Sequence, residues 1–109
     1  MTDTLRILGQ VMPSEGILTT LYTVPGATQT SVSSIIVCNQ NIAGSSFNIS
    51  IAIGGASDTP AQYIFYQTPL DVNDTFIATI GLSLASGDVI RCLSSTGSVS
   101  FNLCGVEVS

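Results

Sequence analysis

Histidine, lysine and tryptophan are missing from this 109-residue chain, and only nine positions carry a formal charge, two basic and seven acidic. Each absence excludes something. Without histidine there is no Ser-His-Asp arrangement, no Cys-His pair and no imidazole metal ligand, and without lysine the other common base is lost. The chain therefore reads as a non-enzyme that uses no cofactor. Arg6 and Arg91 are its two cations and the net charge is −5, so it cannot gather the clustered basic groups whose counterion release drives nucleic-acid binding. Apolar runs such as Ser34-Ile35-Ile36-Val37-Cys38 fall far short of the roughly 20 residues that cross a bilayer, and no membrane partner is expected. The segment Met1-Thr2-Asp3-Thr4-Leu5-Arg6 puts an acid before its one base, with no long apolar stretch after it. That pattern is unlike a secretory signal, and assembly in the cytoplasm is expected.

What is present is neutral. Charged residues make up 8% of the chain against roughly 25% in ordinary soluble domains, while the mean hydropathy is +0.53. About a quarter of the residues are Ser or Thr. The surface must be built from hydroxyls and amides, or be covered by neighbouring copies of the chain. A single domain of this length buries only about two-thirds of its unfolded surface, so packing into a homo-oligomer would add what the monomer core lacks.

The segment Phe47-Asn48-Ile49-Ser50-Ile51-Ala52-Ile53 alternates apolar with small or polar residues at a period of two, as a strand with one buried face does. Residues 98–103 repeat it. Further strands are expected at 17–24, 31–39, 61–67, 75–80 and 87–93, each rich in β-branched or aromatic residues. Turn signals separate them: Pro25-Gly26, residues 40–45, Gly54-Gly55 through Asp58-Thr59-Pro60, residues 69–74, Ser86-Gly87 and Thr96-Gly97. No window carries a 3.6-residue apolar period. The expected fold is all-β, a single antiparallel β-sandwich, jelly-roll-like or immunoglobulin-like, of seven to eight short strands. The Thr96-Gly97 connection predicts a hairpin of the last two strands, and the change of phase at Cys104-Gly105 predicts a bulge. Residues 1–16 lack sustained alternation and read as an N-terminal arm, or equally as an edge strand, ahead of a sandwich over 17–109.

Candidate chemical sites are few. Cys38, Cys92 and Cys104 lie in apolar runs, where a thiol behaves as a small hydrophobe, and their spacing gives neither a disulfide framework nor a metal site. Asp71, Asp74 and Asp88 are conceivable paired carboxylates for glycoside cleavage. Each sits within two residues of Pro, Asn or Gly, where aspartate commonly holds a turn. The run Asp71-Val72-Asn73-Asp74 lacks the spacing and terminal Glu of a calcium loop, so no metal is expected. Tyr63, Phe65 and Tyr66 form an aromatic group, read either as half core and half subunit contact or as a sugar-stacking face.

An ordered set of segments carries a resemblance. It comprises Leu21-Tyr22-Thr23-Val24-Pro25, Ser33-Ser34-Ile35-Ile36-Val37-Cys38-Asn39 and Asn73-Asp74-Thr75, then Gly81-Leu82-Ser83-Leu84 with Gly87-Asp88-Val89-Ile90, and finally Ser100-Phe101 with Gly105-Val106-Glu107. From about Gly9 onward the chain resembles small β-rich virion proteins of tailed bacteriophages, in which similar modules serve as capsid decoration proteins and within tail fibre or baseplate components. The closing segments also resemble the last strands of trimeric jelly-roll domains of the complement and tumour necrosis factor type, though this chain is shorter and lacks their other aromatic motifs. The resemblance implies a non-enzymatic capsid decoration, or cement, protein on the outer surface of the virion, bridging subunits of the major capsid protein, with a trimer favoured. Its contacts would come from Leu5, Ile7 and Leu8 and from Tyr63, Phe65 and Tyr66. The alternatives are a low-copy tail, neck, baseplate or fibre adaptor and a carbohydrate-binding module for host-surface attachment.

Overall fold

Alternation of apolar with small polar residues shapes eight strands in the computed structural model, which describes residues 3–109. They are β1 (Asp3–Val11), β2 (Thr19–Thr23), β3 (Gln29–Asn39), β4 (Ser45–Ala52), β5 (Tyr63–Leu70), β6 (Thr75–Leu84), β7 (Val89–Ser94) and β8 (Val99–Val108). Two short 3-10 turns, Ile53–Gly55 and Pro60–Gln62, lie between β4 and β5. The strands form two antiparallel four-stranded sheets, sheet A in the order β1-β8-β3-β6 and sheet B in the order β2-β7-β4-β5.

The pairing is nested: β1 with β8, β2 with β7, β3 with β6 and β4 with β5. The chain is thus one long hairpin, folded at the β4–β5 connection and rolled so that its strand pairs fall alternately into the two sheets. This is the jelly-roll arrangement. It corrects the expected hairpin at Thr96-Gly97, because β7 lies in sheet B and β8 in sheet A. Both strands are already flanked by distant partners, so the short connection crosses between sheets instead of turning back within one.

Residues 1–16 are not a free arm over their described part. Asp3–Val11 is the edge strand β1, in register with β8 from Asp3↔Val108 to Val11↔Phe101, and the domain does not begin at residue 17. Met1 and Thr2 lie outside the described residues. The pairing of β8 is irregular where the bulge was expected, but the extra residues sit on its neighbours: Leu8 is skipped on β1 and Ser33 on β3, on either side of Cys104 and Gly105. Gly105 continues the inward row of Val99, Phe101 and Leu103. A Cβ there would overlap the Ser31 carbonyl and press on Leu8, so only glycine lets β3 and β8 come this close.

Between the sheets the core fills from both inner faces. At one end four rings meet: Phe47 is 5.2 Å from Phe76 and 6.1 Å from both Phe65 and Phe101, centroid to centroid. Ile35, Ile49, Ile90, Leu103 and Cys92 occupy the middle, each fully buried. At the opposite end the core turns polar around Tyr22, Thr30 and Glu107.

Candidate functional site

Two outward faces remain, and they differ in kind. On sheet A the register lines up four uncharged rows across all or most strands: Leu5-Val106-Ser31-Ser83, Ile7-Cys104-Ser34-Thr79, Gln10-Asn102-Ile36-Ile77, and Ser100-Cys38-Thr75. Leu5 is 81% exposed and Ile77 62%. The one side-chain hydrogen bond joining these rows' residues across strands runs from Gln10 Nε2 to Asn102 Oδ1 at 2.7 Å. The nearest ion pair, Arg6 to Glu107 at 3.1 Å, belongs to the alternate rows of the same two strands. Edge strand β6 carries no charge and no proline over its ten residues, and the irregularity at Ile80 and Gly81 is the one edge-blunting feature it has.

The outer face of sheet B is covered instead. Residues 53–62, between β4 and β5, fold back across it as a strap, which explains why Ser50 and Ala52 are fully buried although they alternate outward from the core residues Phe47 and Ile49. Arg91 on β7 holds the strap by donating to Ala56 O at 2.9 Å and Gly55 O at 3.3 Å. Asp88 fixes its start, its Oδ1 accepting from Gly54 N at 2.9 Å while Oδ2 accepts from Ala85 N at 2.9 Å. Gly54 and Gly55 both have positive φ, 65° and 73°, which lets the chain reverse there. Ser50 Oγ lies buried beneath without a partner among the described residues.

Where the strap meets β5 it encloses a hollow of about 440 Å3 lined by Asp58, Thr59, Pro60, Tyr63 and Tyr66. Residues three apart on a regular strand face opposite ways. Here Ile64 is an extra residue on β5, since Ile49 pairs with Phe65 and Ser50 with Tyr63, and the bulge brings both tyrosines to the outer face. Their rings stand edge to face, centroids 5.4 Å apart at 85°. Tyr63 Oη donates to Asp58 Oδ2 at 2.8 Å. Burial, the bond to Asp58 and that carboxylate's charge raise the Tyr63 phenol above its ordinary pKa.

The residues singled out from sequence are therefore split. Leu5 and Ile7 are exposed on sheet A, but Leu8 is buried in the core. Tyr66 is 64% exposed and Tyr63 half-buried on sheet B, while Phe65 turns inward, 5.3 Å from Phe76. Sequence reading missed Asp58, Thr59 and Pro60, whose one signal was a turn cluster next to an aromatic strand. Asp71 and Asp74 are exposed in the β5–β6 turn, where Asp74 N donates to Asp71 O at 3.1 Å and Thr75 N to Asp74 Oδ1 at 2.9 Å. Asp88 is committed to two backbone donors. No group of three or more His, Cys, Asp or Glu side chains suited to a metal occurs among the described residues, and none of their helices is long and apolar enough to cross a membrane.

No protein-family model matches the sequence, and no curated protein matches it. Solved structures do match the fold. A chain in the structure of infectious bursal disease virus Gx strain superposes with a TM-score of 0.56 at 12% identity, covering 97% of this chain and 32% of that one. In the T13 particle of the same virus the values are 0.55, 13%, 96% and 30%. In its VP2 subviral particle they are 0.55, 15%, 97% and 31%. This chain spans about a third of the length of each of these chains. At such identities the likeness is one of fold alone, and these neighbours are not proteins of tailed bacteriophages.

Proposed function

We propose that the chain is a non-enzymatic structural protein of a virion, in its most specific form a decoration protein of a tailed-bacteriophage capsid that bridges subunits of the major capsid protein and associates with its own copies as a trimer. The observation that carries this reading is the block of four uncharged rows on the outer face of sheet A, bounded at one end by the row Asp3-Val108-Gln29 with its single carboxylate. These four rows of Leu, Ile, Val, Cys, Ser, Thr, Asn and Gln spread across the sheet without a charge. Depletion of charge at its centre is what distinguishes a protein interface from the rest of a surface. A net charge of −5 makes this the direction from which copies approach with least repulsion. The fold shared with virus-particle chains supports the reading, as does the sequence resemblance to virion proteins. Leu5 and Ile7 belong to the proposed contact. Leu8 supports β1 from within.

Copy number in purified particles, measured by quantitative mass spectrometry against the major capsid protein, tests the proposal. Hundreds of copies are expected, because only the shell offers so many equivalent positions. A few copies to a few dozen would favour a tail, neck, baseplate or fibre adaptor. Absence from the particle would overturn both readings.

A further inference from the structure

We propose that the hollow between the strap and β5 is a binding site for a neutral saccharide, with one pyranose ring seated on Tyr66 and its hydroxyls donating to Asp58. The inference goes beyond the structural role and does not depend on where in a particle the chain sits.

The argument begins with shape. The two tyrosine rings stand edge to face and do not stack on one another, and Tyr66 is 64% exposed, so aromatic surface is open to a ligand. The C–H face of a pyranose covers such a surface while its hydroxyls remain at the rim, which suits an amphipathic aromatic. A volume of about 440 Å3 lies within the roughly 300–1,000 Å3 of small-ligand pockets and holds one sugar residue with part of the next.

The second observation is that the hollow is built before any ligand arrives. Tyr63 is tied to Asp58, Gln62 Nε2 donates to Ser57 O at 2.9 Å, and Gln62 N donates to Thr59 O at 3.1 Å. Arg91 and Asp88 anchor the near end of the same strap. Pro60 fixes its own φ at the first position of the 3-10 turn. Little ordering cost is left for binding.

Charge narrows the ligand class. Asp58 is the one charged side chain lining the hollow, and its effect on the Tyr63 hydroxyl exceeds the opposite one of Arg91. An anion meets the Asp58 carboxylate, and the guanidinium that would attract it is engaged by two strap carbonyls. A cation would be drawn to Asp58 and is the competing ligand, which the titration below tests directly. Polyhydroxyl ligands need neither charge. They need acceptors, and Asp58 Oδ1 has no hydrogen-bond partner among the described residues, because Tyr63 takes Oδ2. Charge-assisted bonds of this kind are the stronger ones.

The test is an amide-resolved NMR titration of the intact chain with the methyl glycosides of glucose, galactose, mannose and N-acetylglucosamine, each at millimolar concentration. Saturable shifts confined to residues 58–66 are expected with at least one glycoside. Tyr66→Ala should weaken that binding by about tenfold or more, whereas Tyr66→Phe, which keeps the ring, should retain it. Asp58→Asn should weaken it severalfold with the spectrum otherwise unchanged. No shift with any of the glycosides overturns the proposal. So does a response of these amides to tetramethylammonium alone, which would make the hollow a cation cage, and so does glycoside binding that survives Tyr66→Ala.

Discussion

The phenol oxygen of Tyr22 lies 2.5 Å from Glu107 Oε2 and 2.8 Å from Thr30 Oγ1. Because the single phenol hydrogen goes to the carboxylate, Thr30 must donate to Tyr22. Arg6 Nη1 then closes the chain on Glu107 Oε1 at 3.1 Å. Four strands from both sheets, β1, β2, β3 and β8, are joined through this one cluster at the polar end of the core. Tyr22 and Thr30 are both buried, and removal of a member leaves the others short of a partner.

Tyr22→Phe should therefore destabilise the fold by about 1–3 kcal/mol, the cost of leaving buried polar groups unpaired, read as a lower urea midpoint at unchanged slope. Loss of less than a few tenths of a kcal/mol would mean that the cluster is solvated and structurally idle.

Alkali should act through the same residue. Burial first, and the bond to Glu107 second, push the Tyr22 phenol up to about 12 from 10.0. A raised folded-state value means that the native state holds its proton more tightly than the unfolded chain does. The resulting stability is complete below pH 10 and is lost as pH rises toward about 12. Cys92 behaves alike over a wider window, its thiol pushed from 9.0 to about 12 by burial. Urea midpoints measured from pH 8 upward should fall, and the fall should be shallower in Tyr22→Phe, which has no phenol to titrate. Parallel curves for the two proteins would count against the role of Tyr22.

Gly105→Ala tests the close approach of β3 and β8. The added methyl would overlap the backbone carbonyl of Ser31, with Leu8 Cδ1 and Val32 Cα each 3.0 Å away. Backbone cannot swing aside as a flexible side chain would. Overpacking of this kind costs typically about 1–3 kcal/mol. Gly97→Ala, where no atom lies within 4 Å of the new methyl, is the matched control and should be nearly neutral in a thermal melt.

Asp88→Asn should loosen the strap without unfolding the sandwich. An amide keeps one acceptor but turns an N–H toward either Gly54 N or Ala85 N, both of which are donors to the native carboxylate. The expected readout is faster hydrogen exchange at Gly54 and along residues 53–62, with protection of β3 and β8 preserved. Uniform loss of protection would place Asp88 in the global core instead.

The strands that were legible in the sequence are those with one apolar face: β4 and β8 alternate cleanly because their inner residues fill the core. β1 was legible only as one of two equal readings, arm or edge strand, because it lies at a sheet edge, Leu8 is its one buried side chain, and the bulge there interrupts the period. Thr96-Gly97 looks the same whether the chain turns back within a sheet or crosses to the other. What decides is pairing with β1 and β3 on one side and β2 and β4 on the other, all remote in sequence. The aromatic group at 63–66 was visible, but its division was not. Placing Tyr63 and Tyr66 on one face requires the bulge at Ile64, for which the sequence has no local signal. The strap was invisible as a cover, because a turn-rich segment carries no mark of the surface it lies on.

The three cysteines give a probe of the proposed interface that needs no mutation. Cys92 is fully buried in sheet B and its thiol is pushed up to about 12, and since the thiolate is the reacting form, it should resist iodoacetamide at pH 8 until the fold opens. Cys38 and Cys104 are half-buried on the outer face of sheet A, within the uncharged rows, and should be alkylated in the isolated monomer. If that face packs against copies or capsid subunits, both should become protected in assembled particles while Cys92 stays unreactive throughout. Leu5→Lys or Ile77→Lys places a charge in the same face at an exposed position that the monomer tolerates. Such a variant should keep its melting temperature, fail to assemble, and leave Cys38 and Cys104 reactive. Alkylation of both cysteines in intact particles at the monomer's rate would remove sheet A as the contact surface.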